Sequence, residues 1–183
     1  MDWKAGDIII LKRPERAWYS AVWTCIKQLF SFFVLRKGLI EAIDKWYHIE
    51  MAFPKFIVAT MEPPACHLAD IPKSPMRVYR MKNRPADFET KFYDYVKQSM
   101  KRKFDYVKFW ALVVDRIFHT TWFSLKFRNP NKDVCGEWVS RFYTDIIGIS
   151  IANVSPESAI PSDVNAYCRD NPDKFELVLD WGS

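Results

Sequence analysis

Two strand-like runs separated by one proline and closed by two more constrain this chain more than any other feature. Trp46-Tyr47-His48-Ile49-Glu50-Met51-Ala52-Phe53 and Phe56-Ile57-Val58-Ala59-Thr60-Met61-Glu62 flank Pro54-Lys55, and Pro63-Pro64 stops the second run. β-branched and aromatic residues suit extended backbone, whereas proline is excluded from a central strand. The two runs are predicted to pair as a hairpin around a tight turn at Pro54-Lys55.

The remaining elements follow from periodicity. Asp7-Ile8-Ile9-Ile10-Leu11, after Gly6, reads as a buried strand, and residues 76–81 alternate as another. Ala21, Val22, Cys25, Ile26, Leu29, Phe30 and Phe33 recur at helical spacing after Trp18, predicting an amphipathic helix that ends near Gly38. Pro85 precedes a second helix whose apolar face carries Phe88, Phe92, Tyr95 and Val96. The aromatic-rich region 104–127 is at least partly helical. The polar loop Arg128-Asn129-Pro130-Asn131-Lys132-Asp133 leads into a helix beginning near Cys135, with Trp138, Val139, Phe142, Tyr143 and Ile146 on its 3.6-residue period. Turns at Pro156, Pro161 and Pro172 precede a last strand at 175–179. Mixed strands with segregated helices predict an α+β fold. A length of 183 residues predicts one domain with a helical insertion at about 17–38.

Composition narrows the function classes. Hydrophobic residues make up 49% and aromatics 16%, enough to build a core. The net charge of +5 comes from 27 basic residues scattered among 22 acids, a balance that does not argue for a nucleic-acid partner. Cys25, Cys66, Cys135 and Cys168 form no CxxC pair and no metal-ligand rhythm, so all four are expected reduced. Charged residues through 1–16 predict no signal peptide, and the apolar stretch 17–35 is too interrupted to span a membrane. The expected location is cytoplasmic. No cofactor and no metal is expected; a zinc site from Cys66, His67 and Asp70 is disfavoured because adjacent ligands rarely close a tetrahedron.

A thiol nucleophile needs ionisation, a base, and donors for an oxyanion. A cysteine opening a helix gains the first from the helix dipole, and Cys135 follows a polar loop into an amphipathic helix. Gly136 behind it leaves room for a substrate carbonyl and offers a bare N–H. His48 is the one histidine within a strand, facing alternation on both sides; His67 falls in a proline-rich loop and His119 in the aromatic region. Glu62, at the end of the partner strand, is placed to fix the imidazole tautomer. Glu50 competes for that role, two residues from His48 and on the same side of the strand.

These residues also carry a resemblance. Gly6-Asp7-Ile8-Ile9, Tyr47-His48-Ile49, Met61-Glu62-Pro63, Val78-Tyr79-Arg80, Phe104-Asp105-Tyr106 and Val134-Cys135-Gly136-Glu137-Trp138-Val139 resemble, in order, the motifs of the permuted NlpC-type, papain-like family. That family includes YiiX-like and YaeF-like proteins and is related to lecithin-retinol acyltransferases. Ala159-Ile160-Pro161-Ser162-Asp163-Val164 is similar to its C-terminal Pro-Ser-Asp-Leu stretch. The resemblance spans residues 6 to about 165. It implies a papain-like fold in circularly permuted order, with an antiparallel barrel-like sheet packed on the cysteine helix. It further implies a Cys135, His48 and Glu62 triad that cleaves an amide, ester or thioester through an acyl-enzyme. Three positions depart from the pattern: Tyr47 replaces a serine, Glu50 a glycine, and Gly136 a serine.

The substrate implied is a peptide, acyl or lipid-like small molecule. Aromatic wealth at Trp18, Trp23, Phe30, Trp110, Phe118 and Trp122, with basic residues nearby, fits peripheral membrane contact and keeps open a lipid-directed acyltransferase or thioesterase. A catalytically inactive binding protein on the same scaffold is the third reading. Oligomeric state is not legible.

Overall fold

The computed structural model describes residues 3–12, 46–54, 57–118, 120–127 and 129–181. The helix expected at 18–35 lies outside them. The described residues contain eight strands in one sheet: β1 (Ile8–Lys12), β2 (Trp46–Phe53), β3 (Ile57–Glu62), β4 (Ala65–Asp70), β5 (Met76–Met81), β6 (Lys103–Phe104), β7 (Lys132–Asp133) and β8 (Phe175–Trp181). Their spatial order is β7-β6-β4-β3-β2-β1-β5-β8. Every neighbouring pair is antiparallel except β6 and β7. β7 and β8 are the two edges, so among the described residues the barrel-like sheet is not closed by hydrogen bonds.

The run Ile8-Ile9-Ile10-Leu11 explains why β1 lies centrally. A strand covered on both faces reads as a continuous apolar run. Ile8 and Ile10 enter the main core, whereas Ile9 and Leu11 join a second cluster with Ala52, Val58, Met76 and Val78. The expected hairpin forms: Glu50 pairs with Thr60, and Phe53 with Ile57.

Five α-helices accompany the sheet among the described residues: α1 (Phe88–Ser99), α2 (Tyr106–Phe118), α3 (Trp122–Lys126), α4 (Cys135–Arg141) and α5 (Pro161–Asp170). α1 buries Phe88, Phe92, Tyr95 and Val96, the four residues its period singled out. α4 continues as a wider π-type coil over Phe142–Ile147 and stops at Gly148, whose φ of 83° suits glycine. Ile146, expected on the apolar face, is exposed at this widened end.

Two elements differ from expectation. Pro63-Pro64 was expected to end a strand before a loop; instead it forms a two-residue connection into β4, with Glu62 paired to Ala65. Cys66 is therefore a buried strand residue and not a loop thiol. Pro161, expected as a turn, opens α5. Proline is pre-organised for that first helical position, and Asp163 caps the helix by accepting the Ile160 N–H at 3.0 Å. Cys168 is consequently buried within a helix.

Candidate active site

Several residues quoted for the family resemblance turn out to hold the frame. Asp7 is fully buried, and Arg80 donates to both its oxygens, from Nε at 3.0 Å and from a terminal nitrogen at 2.7 Å. Arg84 donates to the same carboxylate. The strand carrying Asp7 is thereby tied to β5. Tyr79 donates to the Asn165 Oδ1 at 3.0 Å, linking β5 to α5. Asp105 accepts the Lys108 N–H at 3.0 Å and caps α2.

Cys135 occupies the first position of α4, after Val134 in extended backbone. Two bonds fix this helix from within. Trp138 donates through its indole to Ser99 Oγ at 2.8 Å, and the Tyr95 hydroxyl donates to the Trp138 carbonyl at 2.7 Å. Trp138 and Val139 pack with Ile49, Met51, Ala59 and Met61, the residues alternating with the polar ones on β2 and β3. Beneath the helix lies a buried charge network. Glu137 meets Lys108 at 2.7 Å and Arg141 at 2.8 Å, and Arg141 reaches Asp133 at 3.1 Å. Burial pushes the Glu137 carboxyl up to about 7, although both cations oppose it.

His48 is buried, and the Cys135 side chain is near enough to act on its charge. Its Nε2 is ringed by three further groups: Thr60 Oγ1 at 2.8 Å, Glu62 Oε1 at 3.2 Å and Glu50 Oε1 at 3.5 Å. Desolvation lowers the imidazole pKa, yet the Cys135 and Glu50 charges and hydrogen bonds outweigh it and raise it to about 10. The Glu62 side chain is 43% exposed, whereas that of Glu50 is only 5% exposed. Glu50 thus faces His48 in the drier environment, where a charge acts more strongly.

Thr60 is the residue that sequence reasoning missed. It pairs with Glu50 across the hairpin and lies two residues before Glu62, so register alone places it on the same side. Gly136 has a different role from the one expected. A Cβ there would run into the Ala159 carbonyl and lie 2.9 Å from the Ile160 Cα. The space at the Gly136 α-carbon is filled by the 159–160 backbone. This close approach also accounts for glycine where the family pattern has serine.

The disfavoured zinc trio is divided by strand alternation: His67 lies on the opposite face of β4 from Cys66 and Asp70, and its Nδ1 donates to the Ala65 carbonyl at 3.0 Å. Among the described residues, the side chains able to share a metal ion are instead His48, Glu50 and Glu62, whose ligand atoms all lie within 4.8 Å of one another.

No family model matches this sequence, and no curated protein does. Among solved structures, the chain is similar to the crystal structure of metalloprotein yiiX from Escherichia coli O157:H7. The two share 15% identity at a TM-score of 0.51, covering 98% of this chain and 90% of that one. At that identity the match speaks for architecture: this chain has a YiiX-like α+β fold over nearly its whole length.

Proposed function

We propose that this protein is a cysteine hydrolase of papain-like type in permuted order, with Cys135 as nucleophile and His48 as its acid-base partner. The observation that carries this reading is the nearness of a helix-opening cysteine to a buried histidine already held by two carboxylates, near enough that each acts on the other's charge. The Cys135 thiolate attacks the carbonyl carbon of an amide, ester or thioester, forming an acyl–sulfur bond. His48, as imidazolium, gives its proton to the departing amine, alcohol or thiol. Water then attacks the thioester as His48 takes its proton, releasing the acid and restoring the thiolate–imidazolium pair. Glu50, Glu62 and Thr60 hold the ring in place, and unpaired first-turn N–H groups of α4 face the developing oxyanion. The order of the histidine strand before the cysteine helix is the permuted one.

The test is labelling with a thiol-directed acyl probe, followed by mapping of the modified residue. Modification of Cys135 that disappears in Cys135→Ser and slows sharply in His48→Ala is expected. Equal labelling of Cys66 or Cys168 would overturn the assignment.

A second reading uses the same cluster. One imidazole and two carboxylates form a donor set suited to zinc or a similar divalent ion. Glu50 Oε2 is buried without a hydrogen-bond partner, and a protein of the same fold is described as a metalloprotein. An ion would occupy the His48 nitrogen that the hydrolase reading assigns to orienting groups. Metal content of the purified protein separates the two. A stoichiometric ion lost in both Glu50→Gln and Glu62→Gln favours the metal centre, and Cys135 acylation in metal-free protein favours the hydrolase.

A further inference from the structure

α2 is amphipathic the wrong way round for a helix facing water. Its inward residues are Lys108, Ala111, Leu112 and Asp115, all buried. Its outward residues include Tyr106, Val107, Trp110 and Phe118, all more than half exposed. The three charged side chains of the helix are all drawn inward. Lys108 meets Glu137 at 2.7 Å, Asp115 accepts the N–H groups of Phe123 and Ser124, and Arg116 pairs with Asp163. The outer face of α2 is left without charge. α3 extends this surface with Trp122, which is 54% exposed. A soluble helix normally presents the opposite arrangement, and contiguous exposed aromatic surface marks a contact site.

The exposed charges of the stretch that carries this face have one sign. Residues 101–132 contain two acids, Asp105 and Asp115, and both are buried as helix caps. The exposed charged side chains among the described residues of that stretch are Lys101, Lys103 and Lys126. Lys103 precedes Phe104, whose ring lies 5.2 Å from that of Tyr106, so the cationic strand adjoins the aromatic face. The Lys126 ammonium sits 4.4 Å from the Trp122 ring centroid.

We infer that the α2–α3 face docks on the surface of an anionic lipid bilayer. Tryptophan and tyrosine suit the headgroup boundary, and flanking lysines meet anionic headgroups while their stems lie along apolar surface. No helix among the described residues is long and apolar enough to cross a membrane, so the contact is peripheral. A second copy of the chain is the poorer occupant. A two-fold contact would set one lysine-bordered face against another, bringing like charges together. This surface is separate from the chemistry of Cys135. The two are nevertheless braced, because the inner side of α2 holds Glu137, two residues beyond the nucleophile.

Flotation of the full chain with phosphatidylcholine vesicles containing about one-third phosphatidylserine tests the inference. Binding is expected, falling at least about tenfold with pure phosphatidylcholine or in ~0.5 M salt. Trp110→Ser combined with Trp122→Ser should abolish it while leaving the circular dichroism spectrum and the Cys135 labelling rate unchanged. Lys101→Glu with Lys103→Glu should weaken it and flatten its salt dependence. Failure of the wild type to bind would overturn the inference, as would binding unchanged in the tryptophan variant. So would a lipid-free dimer that the same variant renders monomeric, which would assign the face to a second copy.

Discussion

Glu50 and Glu62 reach the same nitrogen of His48 from adjacent strands, at 3.5 and 3.2 Å, yet one is buried and the other nearly half in solvent. The closer group is the more screened, so distance and influence do not run together. Glu50→Gln is expected to reduce turnover of an acyl probe by about 10²-fold, and Glu62→Gln by about tenfold. Thr60→Val, which removes the 2.8 Å contact while preserving shape, should fall between them. Steady-state kinetics of the three variants decide the order. A larger loss in Glu62→Gln would return the orienting role to the residue that sequence spacing favours.

The cysteines should separate by environment. Cys66 is buried in β4, and desolvation pushes its thiol up to about 12. Burial raises the Cys168 thiol as well. Cys135 is only partly buried and acts electrostatically on His48. Iodoacetamide at neutral pH should therefore modify Cys135 and spare Cys66 and Cys168, with peptide mapping as the readout. His48→Ala should slow Cys135 by about tenfold or more and leave the others unchanged. Rapid alkylation of Cys66 in the folded protein would contradict its burial in β4.

Gly136→Ser restores the residue that the resembling family carries at this position, yet it should harm this protein. The new side chain would push against the Ala159–Ile160 backbone, which cannot swing aside as a flexible side chain would. Overpacking of this kind costs about 1–3 kcal/mol. A lowered thermal midpoint is expected, together with slower Cys135 labelling as α4 shifts. A variant with wild-type midpoint and reactivity would show that the approach of residues 159–160 is not what requires glycine.

Much of this arrangement is readable from local pattern, and its gaps have physical causes. The Ile8–Leu11 run, the β2–β3 hairpin and the α1 face follow from side-chain periodicity, which the core enforces. β4 was hidden because Ala65–Asp70 has only one fully buried residue and begins directly after two prolines. Proline reports that a strand has stopped, but not that another starts two residues later. α5 was hidden for a related reason: Pro161 is compatible with both a turn and a first helical position, and the cap at Asp163 decides it. Cys135 and His48 stand out as candidates in the sequence because each sits at a distinctive local position. Thr60 has no such mark; only the pairing register with Glu50 reveals it. The inward charges of α2 were likewise invisible, since their partners, Glu137 and Asp163, come from elements later in the chain.

The pH dependence follows from His48. Burial favours its neutral form, but Cys135 and Glu50 more than offset this and carry its pKa from 6.5 to about 10. Because the folded value lies above the unfolded one, the charged ring stabilises the fold in full below pH 6.5. That contribution disappears as pH rises through about 10. Urea unfolding between neutral pH and pH 10 should show the loss in wild type and a flatter profile in His48→Ala. In the proposed hydrolase the same proton serves the leaving group, so acylation by the probe in metal-free protein should hold through neutral pH and decline on the alkaline side as the imidazolium is lost. Removing the buried carboxylate in Glu50→Gln takes away one of the two supports for the charged ring. The alkaline limb should then move down by about one pH unit or more. An unmoved limb in that variant would show that the imidazolium is sustained without Glu50, leaving Glu50 free for the metal reading.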